Sequence, residues 1–198
     1  DVSLVDVPQQ FIDDYDLHLS RANHGLIEGY VHVENASPGT DVTVSIPELH
    51  ATTHATVGTD DRAAIKLPVT SLTLWSPDNP KLYKVNLSAG SDHLEDDMGF
   101  RTIETRGTEI LLNGKPIFLR GASIHAEAPY RTGRAYSEKD VDTLLGWAKE
   151  LGCNYVRLAH YPHDQRMTRA ADRLGILVWS EIPDYWALEF DNPAVLLK

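Results

Sequence analysis

The sequence is poor in sulfur and poor in basic charge. One cysteine, Cys153, stands in 198 residues, which excludes an internal disulfide and any metal site built from several cysteines. It lies in an apolar run, where a buried, inert thiol is expected rather than a nucleophile. No stretch of about 18 or more apolar residues occurs, so no helical membrane span is expected. The opening residues DVSLVDVPQQ have neither a basic start nor an apolar run, and no signal peptide is expected there. Lys and Arg number 18 against 29 Asp and Glu, for a net charge of −11. A chain so short of clustered cations is a poor match for a phosphate backbone, and nucleic acid is excluded as a partner.

The charge is uneven. Residues 1–104 carry the whole net charge of −11, and residues 105–198 are neutral. The hydrophobic grammar changes at the same place. Before it, short segments rich in Val, Ile, Thr and Tyr predict strands at Asp16–Leu19, Leu26–Glu34, Asp41–Ile46, Ala64–Val69 and Leu82–Leu87, several with period-2 alternation. Val42, Val44 and Ile46 point one way and Thr43 and Ser45 the other. The intervening Asn35-Ala-Ser-Pro-Gly-Thr, Gly58-Thr-Asp-Asp and Ser76-Pro-Asp-Asn-Pro are turn material. About seven short strands over about 100 residues predict an immunoglobulin-like β-sandwich domain over 1–104.

Beyond residue 105, Asn113-Gly114 between apolar runs predicts a hairpin, and Ile117–Arg120 a buried strand. Ser137 followed by Asp140 caps a helix whose apolar face is Val141, Leu144, Leu145, Ala148 and Leu151, ending at Gly152. A strand is predicted at Asn154–Leu158. Asp164 then caps a helix with Met167, Ala170, Ala171 and Leu174 on one face, ending at Gly175, and a third strand follows at Ile176–Ser180. Strand–helix–strand–helix–strand with short connections means parallel strands covered by helices. A doubly wound sheet and a barrel both fit that order. The segment Gly121-Ala-Ser-Ile-His-Ala-Glu lacks the glycine spacing of a phosphate loop, which disfavours a nucleotide-binding fold.

In such units, functional groups gather at the carboxyl ends of the strands. The first strand offers His125 and Glu127, the second Arg157, His160 and His163, and the third Trp179, Glu181 and Asp184. A buried guanidinium needs a partner, so Arg157 is expected either to line a site or to pair with Glu181, and the two are compatible. His160 precedes the turn Tyr161-Pro162 and has the alternative of bonding backbone there. Glu127 and His163 read as solvated loop residues. The aromatics Tyr155, Tyr161, Trp179, Tyr185 and Trp186 suit stacking on sugars. His125, His160, His163 and Asp164 form the alternative of a metal site, but no His-x-His or His-Glu-x-x-His is present, and no metal is expected. His18, His32 and His93 fall on polar strand faces, with no role assigned.

Three stretches, Leu74-Trp-Ser-Pro-Asp-Asn-Pro-Lys-Leu-Tyr, Gly99-Phe-Arg-Thr-Ile-Glu and Leu112-Asn-Gly-Lys-Pro-Ile-Phe-Leu-Arg-Gly, resemble the sandwich-to-barrel junction of family 2 glycoside hydrolases. Asn154-Tyr-Val-Arg-Leu-Ala-His-Tyr-Pro-His and Asp172-Arg-Leu-Gly-Ile-Leu-Val-Trp-Ser-Glu-Ile-Pro continue the resemblance in order and spacing. The resemblance implies a mixed fold. An immunoglobulin-like β-sandwich over 1–104 is followed by the first three β/α units of an incomplete (β/α)8 TIM barrel over 105–198, the N-terminal part of the catalytic domain.

It also implies retaining hydrolysis of terminal β-linked sugars by two glutamates, an acid/base and a nucleophile about 5 Å apart. The acid/base belongs to an Asn-Glu pair after the fourth strand. No Asn-Glu occurs in these residues, so neither catalytic group is expected within them, and they are expected to be inactive alone. By the same resemblance His125, Arg157, His160 and Glu181 bind substrate. The first loop, Ser123-Ile-His-Ala-Glu-Ala, differs from the His-Glu-His-His of β-galactosidases and the His-Glu-Asp of β-glucuronidases. Nothing after the third strand resembles the magnesium site of some β-galactosidases. β-Galactosidase is the first expectation and β-glucuronidase the alternative. A non-catalytic domain-contact module and a metal-dependent barrel hydrolase are the readings from other classes. No cofactor is implied. The expected partner is a carbohydrate, with a homo-oligomer compatible and neither nucleic acid nor membrane involved.

Overall fold

The computed structural model describes residues 4–182, 189 and 191–196. Asp184, Tyr185 and Trp186, named above for the site, lie outside the described residues. The chain divides into two compact units, Asp1–Phe118 and Leu119–Lys198.

Among the described residues the first unit holds ten strands: β1 (Phe11–Leu19), β2 (Leu26–Glu34), β3 (Asp41–Ile46), β4 (Ala51–Thr56), β5 (Arg62–Pro68), β6 (Tyr83–Ala89), β7 (Asp92–Met98), β8 (Ile103–Arg106), β9 (Glu109–Leu112) and β10 (Lys115–Pro116). They form an antiparallel sheet β1-β2-β5, an antiparallel sheet β4-β3-β6-β7 and a small sheet β10-β9-β8. Alternate residues of the first two sheets, among them Ile27, Val31, Val33, Val42, Val44, Ile46, Ile65, Leu67, Val85 and Leu87, share one buried core. That is the two-layer sandwich which alternation at β2 and β3 predicts. β1 begins earlier than the predicted Asp16, and β4 and β7 were not predicted.

Asn113 and Gly114 both have positive φ (52° and 75°), the turn that Asn-Gly favours. The Asn113 side chain ties this hairpin to the sandwich. Its Oδ1 accepts from the Thr102 N–H and its Nδ2 donates to the Trp75 carbonyl, both at 3.0 Å. Trp75 is itself fully buried.

The second unit comprises β11 (Gly121–His125), α1 (Glu138–Glu150), β12 (Tyr155–Ala159), α2 (Gln165–Leu174), β13 (Leu177–Ser180) and a short helix α3 (Pro193–Leu196). The strands are parallel in the order β11-β12-β13. Val141, Leu145, Ala148, Val156, Leu158, Met167, Ala170 and Ala171 form the core between the helices and one face of the sheet. Two expectations are corrected. Ile117–Arg120 is not a strand, and Phe118 is largely exposed; the strand starts at Gly121, because Asn154 holds the Arg120 backbone at the entry. The Asn154 side chain accepts from the Arg120 N–H, and the Asn154 N–H donates to the Arg120 carbonyl. Leu151 does not join the buried face of α1 but is 77% exposed, since the helix ends at Glu150 and Gly152 turns the chain away at φ 77°. Among the described residues no helix is long and apolar enough to cross a membrane.

Candidate functional site

The helices at either side of β12 are fixed by their caps. Ser137 and Asp140 close a reciprocal capping box on α1, each satisfying a backbone N–H that the helix itself leaves free. Asp140 is buried. Burial alone pushes its carboxyl up, but the Ser137 hydroxyl, the Ser137 and Tyr136 backbone N–H groups and Arg131 together bring it down to about 2. Asp164 caps α2 through the Arg166 N–H at 3.0 Å, and Gly175 closes that helix at φ 70°.

With the helices seated, the pleat of the strands decides what faces the other way. Ile124, Val156, Leu158 and Val178 pack against the helices, so Ser123, His125, Arg157, Ala159 and Trp179 face away from them. The register sets Ser123, Arg157 and Trp179 in one row and pairs His125 with Ala159 in a higher one.

At the carboxyl end of β12 and β13 three of the expected residues converge. Arg157 Nε donates to Glu181 Oε1 at 2.7 Å, and Arg157 Nη2 lies 3.0 Å from His160 Nδ1. His160 Nδ1 is also 3.2 Å from Glu181 Oε2. The imidazole therefore stands between a cation and an anion at a single nitrogen. With a proton on Nδ1 it donates to Glu181, and with Nδ1 bare it accepts from Arg157. The hydrogen bond from Arg157 is the main reason the Glu181 carboxyl sits below its ordinary range; burial opposes this, and His160 adds to the lowering. The guanidinium also lies 6.0 Å from the centre of the Trp179 ring. Both of the roles weighed for Arg157 therefore fit its position, since it is ion-paired and faces the open side.

His125 joins through ring contacts. It lies edge-on to His160, with centroids 5.2 Å apart, and 6.2 Å from Tyr161. Tyr161 stacks on His163 at 5.5 Å, and the Arg134 guanidinium lies over its ring, 5.0 Å from the centre. Arg134 also donates to the Pro162 carbonyl at 3.0 Å. Sequence reading passed over Arg134, which belongs to no strand end; the bridge between Glu127 and Arg134 is what folds it back. His163 is not a solvated loop residue. Its Nε2 donates to the Ala159 carbonyl at 3.0 Å, and burial pushes the ring below its ordinary value, the carbonyl bond opposing this. Glu127 is exposed, and its carboxylate makes no ion pair among the described residues.

The geometry offers carboxylate, imidazole and guanidinium groups beside an exposed indole. Such a surface can hydrogen-bond hydroxyls and stack on an apolar sugar face. As for a metal at the strand ends, Asp164 is engaged by Arg166 and by the start of α2, and the Nε2 of His163 by a carbonyl.

Comparison with known proteins agrees across both units. The profile described as "Glycosyl hydrolases family 2" matches residues 10–101. The profile described as "Glycosyl hydrolases family 2, TIM barrel domain" matches residues 103–185. A beta-galactosidase of Aeromonas hydrophila is 34% identical over 128 residues, covering 62% of this chain and 12% of the relative. A beta-glucuronidase of Streptococcus agalactiae is 34% identical over 123 residues, covering 60% of this chain and 20% of the relative. Among solved structures, the beta-glucuronidase of Ruminococcus gnavus in complex with D-glucaro-d-lactam superposes with a TM-score of 0.76 at 26% identity, over 89% of this chain and 30% of that one. The chain thus spans only a small part of the proteins it matches.

Proposed function

Since this chain belongs to family 2 of the glycosyl hydrolases, we propose that it is the sugar-site-bearing part of a retaining glycosidase that removes terminal β-linked sugars, a β-galactosidase in the first instance. On this reading the first unit is an immunoglobulin-like sandwich, and β11, α1, β12, α2 and β13 are the first three units of a (β/α)8 barrel. The observation that carries it is the Arg157–His160–Glu181 cluster at the carboxyl ends of adjacent parallel strands, where such barrels bind substrate. The two catalytic glutamates are assigned outside these residues, which contain no Asn-Glu pair. His125, Arg157, His160 and Glu181 then hold the sugar while those groups perform the displacement.

The choice of sugar follows from charge. Glu181 already pairs Arg157, so the cluster presents little net charge to a ligand, which suits a neutral hexose. The β-glucuronidase reading rests on Arg134. Its guanidinium lies against Tyr161 and, among the described residues, has no carboxylate partner, so it is the group placed to meet a uronate. The test is a panel of aryl β-glycosides on the full-length protein. Turnover of the β-galactoside with little of the β-glucuronide supports the first reading. Preference for the β-glucuronide, lost on Arg134→Ala, replaces it with the second. No turnover of any β-glycoside overturns both.

The domain boundary is proposed near Glu104–Gly107, where charge and periodicity change. The hairpin β8–β10 nevertheless folds compactly with the sandwich through Asn113. Limited proteolysis distinguishes continuity of sequence pattern from continuity of packing: a resistant acidic piece ending near residue 104 supports the boundary, and one extending through Asn113 moves it to the far side of the hairpin.

A further inference from the structure

Away from the strand ends, a second group of chemically capable side chains forms on the sandwich. Asp13, His32 and Glu34 bring one imidazole nitrogen and two carboxylate oxygens within 4.8 Å of one another. We propose that these three residues bind a divalent first-row transition-metal ion of the zinc type on the outer face of the β1-β2-β5 sheet.

The backbone explains why three such residues meet. His32 and Glu34 are two apart on β2, so the pleat puts both on one face. The residues that alternate with them, Val31 and Val33, are fully buried, so the face is the outer one. β2 is the middle strand of its sheet, hydrogen-bonded on both sides, which holds two of the ligands on a rigid base. Asp13 arrives by an irregularity. β1 pairs Ile12 with Val33 and then Asp14 with His32, leaving Asp13 as an extra residue with no partner across the ladder. Alternation from the buried Ile12 already puts Asp13 on the outer face, and the bulge sets it there beside the Asp14–His32 pair, within reach of His32.

The spacing and the donor types point the same way. His32 Nδ1 lies 3.6 Å from Asp13 Oδ2. That is too long for a hydrogen bond, but it is close to the separation of about 3.4 Å between two ligands of a tetrahedral ion with bonds of about 2.1 Å. An imidazole among carboxylates selects zinc and its first-row neighbours over magnesium and calcium, which prefer oxygen alone. Three protein ligands leave a fourth position for water.

The surroundings are mostly negative. Asp14 and Asp16 follow on β1, the first accepting from the Tyr30 hydroxyl at 2.7 Å and the second bonded to His18 at 2.8 Å. The cation opposite His32 in the register is Arg62 on β5. Its guanidinium lies over the Tyr30 ring, 4.3 Å from the centroid, which gives it a place other than the cluster.

The test is calorimetric titration of the 198-residue chain with zinc chloride, together with the visible spectrum after adding cobalt chloride. The expected result is one tight equivalent of zinc and a cobalt spectrum of low coordination number. His32→Ala and Asp13→Asn should each weaken zinc at least tenfold, while His18→Ala and His93→Ala leave it unchanged. If either ligand variant loses its β-sheet circular dichroism, Glu34→Gln takes its place with the same expectation. Absence of a tight equivalent, binding that survives all three ligand variants, or equal competition by magnesium would each overturn the proposal.

Discussion

Arg157 and Glu181 are joined by a single 2.7 Å bond from Nε to Oε1, across neighbouring parallel strands and on the side of the sheet that the helices leave open. The pair leaves Nη2 for His160, so removing the guanidinium frees two groups at once. In the full-length enzyme, Arg157→Ala is expected to lower kcat/KM by roughly 10- to 1000-fold, about 1.4–4 kcal/mol of lost transition-state binding. Arg157→Lys should recover only part of this, because an ammonium does not reproduce the fork that reaches Glu181 and His160 together. Unchanged kinetics in folded Arg157→Ala protein would remove the residue from the site.

The start of α1 sets an acid limit. The Asp140 carboxyl titrates at about 2 in the folded chain, against about 3.9 when unfolded. A lowered folded value means a contribution to stability that is complete above the unfolded value and is lost as pH falls towards the folded one. Asp140→Asn should therefore be less stable than the parent at neutral pH, with the gap closing between about pH 4 and pH 2. Urea midpoints measured across that range check it, and a gap independent of pH would contradict the assignment. Ser137→Ala, which removes the other half of the box, should cost about 1 kcal/mol.

Two glycines separate backbone necessity from empty space. Gly29 has φ 149°, and a Cβ there would sit 1.9 Å from the Asp16 carbonyl oxygen on the neighbouring strand. Gly29→Ala is expected to destabilise the sandwich by more than about 2 kcal/mol. Gly146 lies inside α1 with nothing within 4 Å of an added Cβ, and Gly146→Ala should stabilise by about 0.5–1 kcal/mol. Denaturant melts of both variants decide the matter, and equal effects would contradict it.

As an isolated polypeptide of these 198 residues, the protein is expected to turn over no glycoside and to self-associate. Among the described residues β11 and β13 are each paired on one side only, and such edges recruit other strands. Trp179 and Ile182 are exposed at 57% and 73%, on or next to the face that further barrel strands would cover in the proposed fold. At about 25 cal/mol per Å2, covering a few hundred Å2 of apolar surface is worth several kcal/mol before the entropy of association. Light scattering showing monomer at high concentration would refute the packing argument. Hydrolysis of an aryl β-galactoside or β-glucuronide by this piece would refute the placement of the catalytic groups outside it.

The parts of the fold that could be read from sequence are those where one physical signal dominates. β2 and β3 fall on the predicted Leu26–Glu34 and Asp41–Ile46, because clean alternation is bounded there by turn residues. The two α1 and α2 helices carry their own caps at Ser137 and Asp164. β4 and β7 escaped because their outward residues are polar and their inward ones small or only half-buried, so the period is faint. Ile117–Arg120 misled because an apolar run resembles a core strand, while the pairing that makes a strand is decided by Asn154 far along the chain. At the site, strand order identified Arg157, His160 and Glu181 as neighbours. It could not show that one imidazole nitrogen would face both of the other two, nor that Arg134 would be folded over Tyr161, since both depend on loop paths that leave no period in the sequence.

β12 works as a two-sided ruler. Its even-numbered residues, Val156 and Leu158, pack against the helices, and Arg157 between them faces the open side. On the proposed reading, substitution at 157 would therefore change ligand preference without disturbing the packing beneath. The insertion or loss of one residue in the same strand would exchange the two sides, putting a guanidinium among Met167, Ala170 and Ala171 and leaving valine to greet the ligand. Divergence of specificity at this strand is thus open to point changes and closed to changes of length.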